Sequence, residues 1–546
     1  MKKILLTAVS LTALAAAPAF ANNSVSNVTQ SGTNGLAVVN QAGSQTGVST
    51  SDILQSGDSN KSRVRQTAGS NAGSNTNDVN DSDIDQSGND NNINVRQVNV
   101  GQPNNPSLVN TSVITQSGSD NDIDSDQRGD GNGSTITQSG ASNEITMFQE
   151  KQGTPPAQST VDLNTSSIVQ SGFDNLASLT QQGDGNGSAI FQDGDFGTVS
   201  VNQTGGTGVG SDSIVNQSGD TNSTSVNQDG DANDSLVNQN GNDSFVVVGQ
   251  SGDGNISTVD QLAAGSTVTV GQTGTGNVSG VGQLAAASSV SVTQDGTTNS
   301  SDVAQITGVA LVDVNQVGTD NSSSVLQIGV IEAVAVDQNG TNNSSDVIQA
   351  GAGALVVVDQ DGTDNESTVN EIGLLAAVGV TQNGASNDSY VGQLGAGAFV
   401  SVNQLGDNND SVVGQLNGLD GSFGLVDVSQ IGDMNTSLVL QAGGEVEADV
   451  DQGVAGDAGN NNTSEIFQGG DQLFAKAEQT GDSNESLIEQ SGFDNDATLV
   501  ASGNNNMSEI FQAGSGNEAD VTQMTDTNSS FVDQLLSVNG TATVTQ

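Results

Sequence analysis

Glutamine returns every eleven residues along nearly the whole chain, and no other feature limits the possible folds so tightly. From Gln217 to Gln415 the phase never slips, and only Glu371 changes the residue. The rungs from Gln30 to Gln203 and from Gln430 to Gln546 keep the same step between occasional longer gaps, and Ala501 replaces one glutamine. A fixed period of this kind marks a repeat architecture, in which each unit buries its apolar face only by stacking on the next. The other positions of the unit hold their places too. After Gln170 come Gly172, Asn175, Ala177, Leu179 and the next rung, Gln181. The frame recurs as Gln217, Gly219, Asn222, Thr224, Val226 and Gln228, and again as Gln512, Gly514, Asn517, Ala519, Val521 and Gln523.

Positions five, seven, nine and eleven after a rung differ by two, which puts their side chains on one face of a β-strand. Residues between them, such as Ser225 and Asn227, are polar and face the other way. The segment Gly219-Asp220-Thr221 has turn chemistry, since glycine supplies positive φ and aspartate tolerates tight turns. Each eleven-residue unit therefore reads as one strand and one turn, and two units bring the chain back to its starting edge. The fold class expected is all-β: a β-solenoid of about 22 two-strand coils, about 22 residues to the coil.

The turns show that the coil holds two units rather than one. Those after Gln261, Gln283, Gln305, Gln327, Gln349, Glu371, Gln393 and Gln415 are apolar or small, as in Ile328-Gly329-Val330-Ile331 and Ile372-Gly373-Leu374-Leu375. The turns between them are polar, as in Asp361-Gly362-Thr363-Asp364. Apolar turns at every second unit line one edge of a solenoid. Ile328, Ile331, Ile372, Leu374, Leu375 and Leu394 are the candidate interface, either for lateral pairing or for docking on a surface or partner. If every gap holds one turn, six of the seven long gaps (after Gln41, Gln66, Gln97, Gln149, Gln203 and Gln452) leave from the opposite edge, and only that after Gln415 does not.

The interior of such a coil is thin. A small residue at position seven and an aliphatic one at position nine suit two sheets about 10 Å apart. Asparagine and glutamine point inward as well, and a buried amide without partners is costly. Identical amides stacked about 4.8 Å apart are expected to hydrogen-bond as a ladder.

The first 21 residues read as a signal peptide: Lys2 and Lys3, an apolar run from Ile4, and Ala19-Phe20-Ala21 as the cleavage site, leaving Asn22 first in an extracellular protein. The rest divides into repeats with insertions over 22–216, strictly phased repeats with the apolar stripe over 217–415, and repeats with minor insertions over 416–546. Histidine, cysteine and tryptophan are absent, so disulfides, thiol chemistry and the commonest general base are not available, and no catalytic, cofactor or metal residue is assigned. The net charge is -54, and no Lys or Arg occurs between Gln152 and Ala475. Such a surface repels nucleic acid and anionic lipid. No later run is apolar enough for a spanning helix, so membrane insertion is not expected.

The unit S-x5-Q-x-G-x-x-N-x-A-x3-Q, carried by Ser211, Gln217, Gly219, Asn222 and Gln228 with Thr224 in the alanine place, resembles the repeat of the curlin family, the subunits of curli-type functional amyloid. Gln170, Gly172, Asn175, Ala177 and Gln181 match its second part in full. The resemblance implies secretion across an outer membrane, self-association into extracellular cross-β fibres, a role in biofilm or surface adhesion, and curli-type secretion and nucleation machinery as partners. The chain has roughly four times the repeats of a curlin subunit and one tyrosine, Tyr390. Repeat-like sequence runs from near Ser24 to Gln546 without a distinct polar cap, so end-to-end stacking is expected. Two alternatives stand beside this reading. One is a disordered Gln/Asn/Gly-rich chain. The other is a monomeric acidic adhesin or stalk, stiffened by cations at turns such as Gly183-Asp184-Gly185-Asn186.

Overall fold

A computed structural model describes residues 24–43, 48–68, 79–99, 109–129, 131–150, 164–205, 209–417, 423–453 and 459–546. The described residues contain 44 strands and no helix. Among the described residues no helix is long and apolar enough to cross a membrane. The chain divides into two compact units, 1–265 and 266–546. The first holds β1 (Val25–Gln30) to β19 (Ile256–Gln261), and the second β20 (Thr267–Thr275) to β44 (Thr541–Thr545).

Both units are β-solenoids of the same construction, with about 22 residues per coil. Odd-numbered strands form one sheet and even-numbered strands the other, and each strand lies parallel on the equivalent strand of the next coil. In the first unit β15 (Asp212–Ser218) pairs with β17 (Asp234–Asn240), Gln217 opposite Gln239. In the second, β28 (Leu355–Thr363) pairs with β30 (Ala377–Ala385), Gln360 opposite Gln382. One register shift falls between Ala513 and Gly514, where β41 (Met507–Ser515) meets β43 (Ser529–Val538). There the twelve-residue step from Gln534 to Gln546 adds a residue, and Leu536 takes up a left-handed φ of 54°.

The period-two pattern decides what is buried. In β12 (Leu176–Gln182) Ala177, Leu179 and Gln181 are buried, while Ser178 and Thr180 face outward. The core is the line of Val, Ile and Leu at position nine against small residues at position seven. Strand sheets also alternate without a slip across every long gap: β4 (Lys61–Ala68) is even, and β5 (Val79–Gln86) is odd. The inserted segments, with Pro103, Pro106, Pro155 and Pro156, and the first 23 residues lie outside the described residues.

Candidate functional site: an amide ladder and an apolar edge

Glutamine reaches the end of each strand on the inner face, so parallel register sets one rung amide over the next. In the first unit Gln170 Nε2 donates to Gln192 Oε1 at 2.8 Å, and Gln192 to Gln217 at 2.9 Å. On the facing sheet Gln181 donates to Gln203 and Gln203 to Gln228, both at 2.9 Å. Gln217 and Gln228 donate onward to Gln239 and Gln250 at 2.9 and 2.8 Å. In the second unit Gln512 bonds to Gln534 at 2.9 Å, and Gln523 to Gln546 at 3.2 Å. Most rungs spend their second N–H on the backbone: Gln228 Nε2 also reaches the carbonyls of Asp212 and Asn233. These bonds remove the desolvation cost that buried amides would carry.

Asparagine carries part of the expected amide ladder, as where Asn365, Asn387 and Asn409 each donate to the asparagine of the preceding coil at 3.0 to 3.1 Å, and it also bonds the turn backbone. Asn175 Nδ2 bonds the carbonyls of Ser171 and Gly194 at 2.7 and 2.6 Å, and its Oδ1 accepts the Gly197 N–H at 2.8 Å. Asn222 does the same with Ser218, Gly241 and the N–H of Ser244. Asn517 bonds Asn495 Oδ1 at 3.0 Å and accepts the N–H of Gly540. The asparagine thus ties the turn backbone of successive coils together. Glycine makes that approach possible. Gly172 has φ 100°, and a Cβ there would lie 1.9 Å from the Gly194 carbonyl oxygen. Gly219 and Gly514 meet the next turn just as closely. Ala177 and Ala519 fill the thin core beneath.

The odd-strand ladder of the second unit is interrupted at Glu371. Gln327 bonds Gln349 at 2.9 Å and Gln393 bonds Gln415 at 2.9 Å, but between them Gln349 Nε2, both Glu371 oxygens and Gln393 Oε1 have no hydrogen-bond partner. An ionised carboxylate cannot donate to the Gln393 oxygen. Burial first, and then the Glu332 carboxylate, push Glu371 up to about 7, with the Gln349 amide opposing. Glu332 is buried in the neighbouring corner, and burial pushes it up to about 7 as well, with the Gly351 N–H opposing. Glu332 stands where most turns carry asparagine, a departure off the rung frame that the glutamine period does not expose.

The apolar turns all follow odd-numbered strands, and those of the second unit share one edge. In the second unit they run from Leu284 to Leu416; Leu262 is an exposed turn residue of the first unit. The turns do not fold inward as a whole. Alanines at position five, such as Ala354, Ala376 and Ala398, are buried, while the large side chains face out. Ile331 is 74% exposed and Leu375 is 71% exposed, with Ile328, Ile372, Leu374 and Leu394 between 38% and 51%. Ile331 and Leu375 also hold left-handed backbone, at φ 60° and 55°. That conformation costs an L-residue roughly 1–2 kcal/mol, and a β-branched one is rare there. Folding gains nothing from two large apolar side chains on strained, solvent-facing turns.

The edge extends further than the turns. Five residues before the even rungs, Leu311, Ala333, Leu355, Ala377, Phe399 and Leu425 stack in register along the even-strand sheet. The four large members are exposed. On the odd-strand side Ile328, Ala350, Ile372, Leu394 and Leu416 form a parallel column. No exposed charge interrupts the six turns from Leu284 to Ala398. The opposite edge carries Asp295, Asp320, Asp361, Asp364 and Asp407.

Among the described residues no group of three or more acidic side chains is placed to hold a metal ion. No curated protein matches the chain. Six stretches match the curlin-associated repeat: 118–150, 172–205, 241–274, 265–296, 459–492 and 487–514. They fall in the sequence of both units and include Gly172, Asn175, Gln181, Gln192, Gln203, Gln512 and Gly514. In these stretches the chain is similar to the curlin-associated repeat.

Proposed function

We propose that this protein is a secreted structural subunit that assembles into extracellular, curli-like cross-β fibres serving as biofilm matrix and surface adhesive. The observation that carries this reading is the register. Within each unit every coil lies in parallel on the next with glutamine over glutamine, so the edge a coil offers is the edge it accepts. A second copy can continue the ladder with the same amide and backbone bonds. Curlin-associated repeats support self-assembly, and the family is structural rather than enzymatic. The basic-apolar first 21 residues supply the export route, with curli-type secretion and nucleation machinery as the natural partners. Electron microscopy with an amyloid dye on the mature chain tests the reading. Fibres with an axial repeat of about 4.8 Å are expected. A chain that stays monomeric in sedimentation at high concentration and long incubation overturns it in favour of a monomeric acidic stalk.

A further inference from the structure

We propose that the apolar edge of the second unit docks a second copy of this chain in an antiparallel, two-fold pair. The edge is corrugated with a period of two coils. At position four the successive turns present Ile331, Gly353, Leu375 and Gly397. At position six they present Ala333, Leu355, Ala377 and Phe399. A large crest is therefore followed by a small flank, and a small crest by a large flank. The backbone holds these crests in line, since the N–H groups of Gly353, Leu375 and Gly397 bond the preceding turn at 2.8 to 3.0 Å.

A two-fold axis lying across this edge, between the turns of Gly353 and Leu375, reverses the order of coils. It sets Leu375 of one copy over Gly353 of the other and Ile331 over Gly397. On the flank the same axis sets Leu355 over Ala377 and Phe399 over Ala333. In these two columns every large side chain meets a small one at all four coils, while in the odd-strand column the same axis sets Ile372 over Ala350 and Ile328 over Leu394. An axis along the solenoid would instead oppose Ile331 to Ile331 and Leu375 to Leu375. The across-edge axis gives an isologous contact that closes on itself.

Area and charge both select a second copy. About a dozen large apolar side chains, each roughly half exposed, offer on the order of 1,000 Å² per copy, against about 800 Å² per partner in a stable interface. The protein is acidic almost everywhere else, so two copies repel each other except where this edge is free of charge. The same negative charge disfavours an anionic membrane as the occupant.

The test uses the soluble mature chain before fibre growth, so that pairing and fibre formation are read separately. The protein has no cysteine, which makes single introduced thiols specific reporters. Ala352→Cys, on the apolar edge, should cross-link to a dimer through a short bifunctional thiol reagent, and Ser386→Cys on the acidic edge should not. Ile331→Gly with Leu375→Gly removes both crests at left-handed positions that suit glycine, so the β-signature by circular dichroism should persist. Sedimentation should then show pairing weakened by about tenfold or more. Equal cross-linking from both edges, undiminished pairing of the glycine variant, or a wild-type chain that remains single up to the onset of fibres would overturn the proposal.

Discussion

A single substitution in a column of identical residues is most informative where the column has no slack. At Glu371 the ladder needs a group that accepts from Gln349 and donates to Gln393; glutamine does both, and so does a protonated carboxylic acid. The ordinary value for glutamate is 4.5, and burial with Glu332 alongside raises Glu371 to about 7. The folded chain therefore binds more protons than the unfolded one across that window. The cost of Glu371 is absent below about pH 4.5, grows as pH rises and is complete above about pH 7. Glu332 is the other titratable group in this interior, and the two carboxyls titrate as a coupled pair. The charged groups on the packed strands, Asp346, Asp359, Glu366 and Asp388, sit at outward positions. Glu371→Gln is expected to stabilise the second unit by on the order of 3 kcal/mol at pH 8 and hardly at all at pH 4.5. Denaturant unfolding at the two pH values measures this, and an equal gain at both would remove the titration argument.

Strands and turns are the scale at which the sequence was most legible, and stacking explains why. A residue that must lie on its own copy in the next coil repeats with the coil, so rung, inner face and turn glycine all show as a period. The asparagine-on-asparagine bonds were legible, but the asparagine's other task was not, because those partners are backbone groups brought within reach by the turn geometry at glycines such as Gly172. The apolar turns were visible as a pattern, but not which side chains point outward. The buried Ala354 and the exposed Leu375 differ by position within the turn rather than by hydrophobicity. The flank of Leu311, Leu355 and Phe399 escaped because single apolar residues at outward strand positions are ordinary. Its alternation with alanine spans two coils, longer than the unit that was counted. Glycine at position two is a structural requirement that can be tested directly. Gly362 has φ 130°, and a Cβ there would sit 1.9 Å from the Gly384 carbonyl oxygen, whereas a Cβ on Gly379 meets nothing within 4 Å. Gly362→Ala should cost more than about 2 kcal/mol and Gly379→Ala less than about 1 kcal/mol, read by unfolding or local hydrogen exchange. Comparable costs would mean that the turns yield and do not fix the stacking. Ala501 leaves Gln523 Oε1 without a partner, so Ala501→Gln should restore the ladder and add about 1 kcal/mol, seen as slower exchange in β40 (Asp496–Ser502) and β42 (Glu518–Gln523).

For the molecule as a whole the dominant fact is a net charge of -54 on a repeating surface. In some turn columns acid lies on acid, as Asp195 on Asp220 and Asp407 on Asp433, and in others the acids alternate with donors. Asp361 accepts from Asn339 at 3.2 Å and is followed by Asn383, and Asp407 accepts the Ala385 N–H at 2.8 Å. Further acid-on-acid stacks lie on the outer strand faces. In the first unit Asp212 is opposite Asp234. In the second unit Asp337 is opposite Asp359, and Asp388 is opposite Asp410. Burial first, and then the neighbouring carboxylates, raise Asp212, Asp359 and Asp410 above the usual aspartate value of 3.8. A raised carboxylate destabilises the stacked state once ionised, so this cost is lifted as pH falls through the raised values toward 3.8. Coil joined to coil between molecules would bring further acids into the same columns and feel the same sign. Fibre growth should therefore be several-fold faster near pH 4 than at pH 7. Divalent cations at pH 7 should recover part of that gain by lying between stacked carboxylates. Asp359→Asn together with Asp410→Asn should raise the rate at pH 7 and flatten its pH dependence. Dye-binding kinetics across pH, with and without calcium, provide the measurement. Rates that are flat from pH 4 to 7 and indifferent to calcium would show that these columns do not govern assembly.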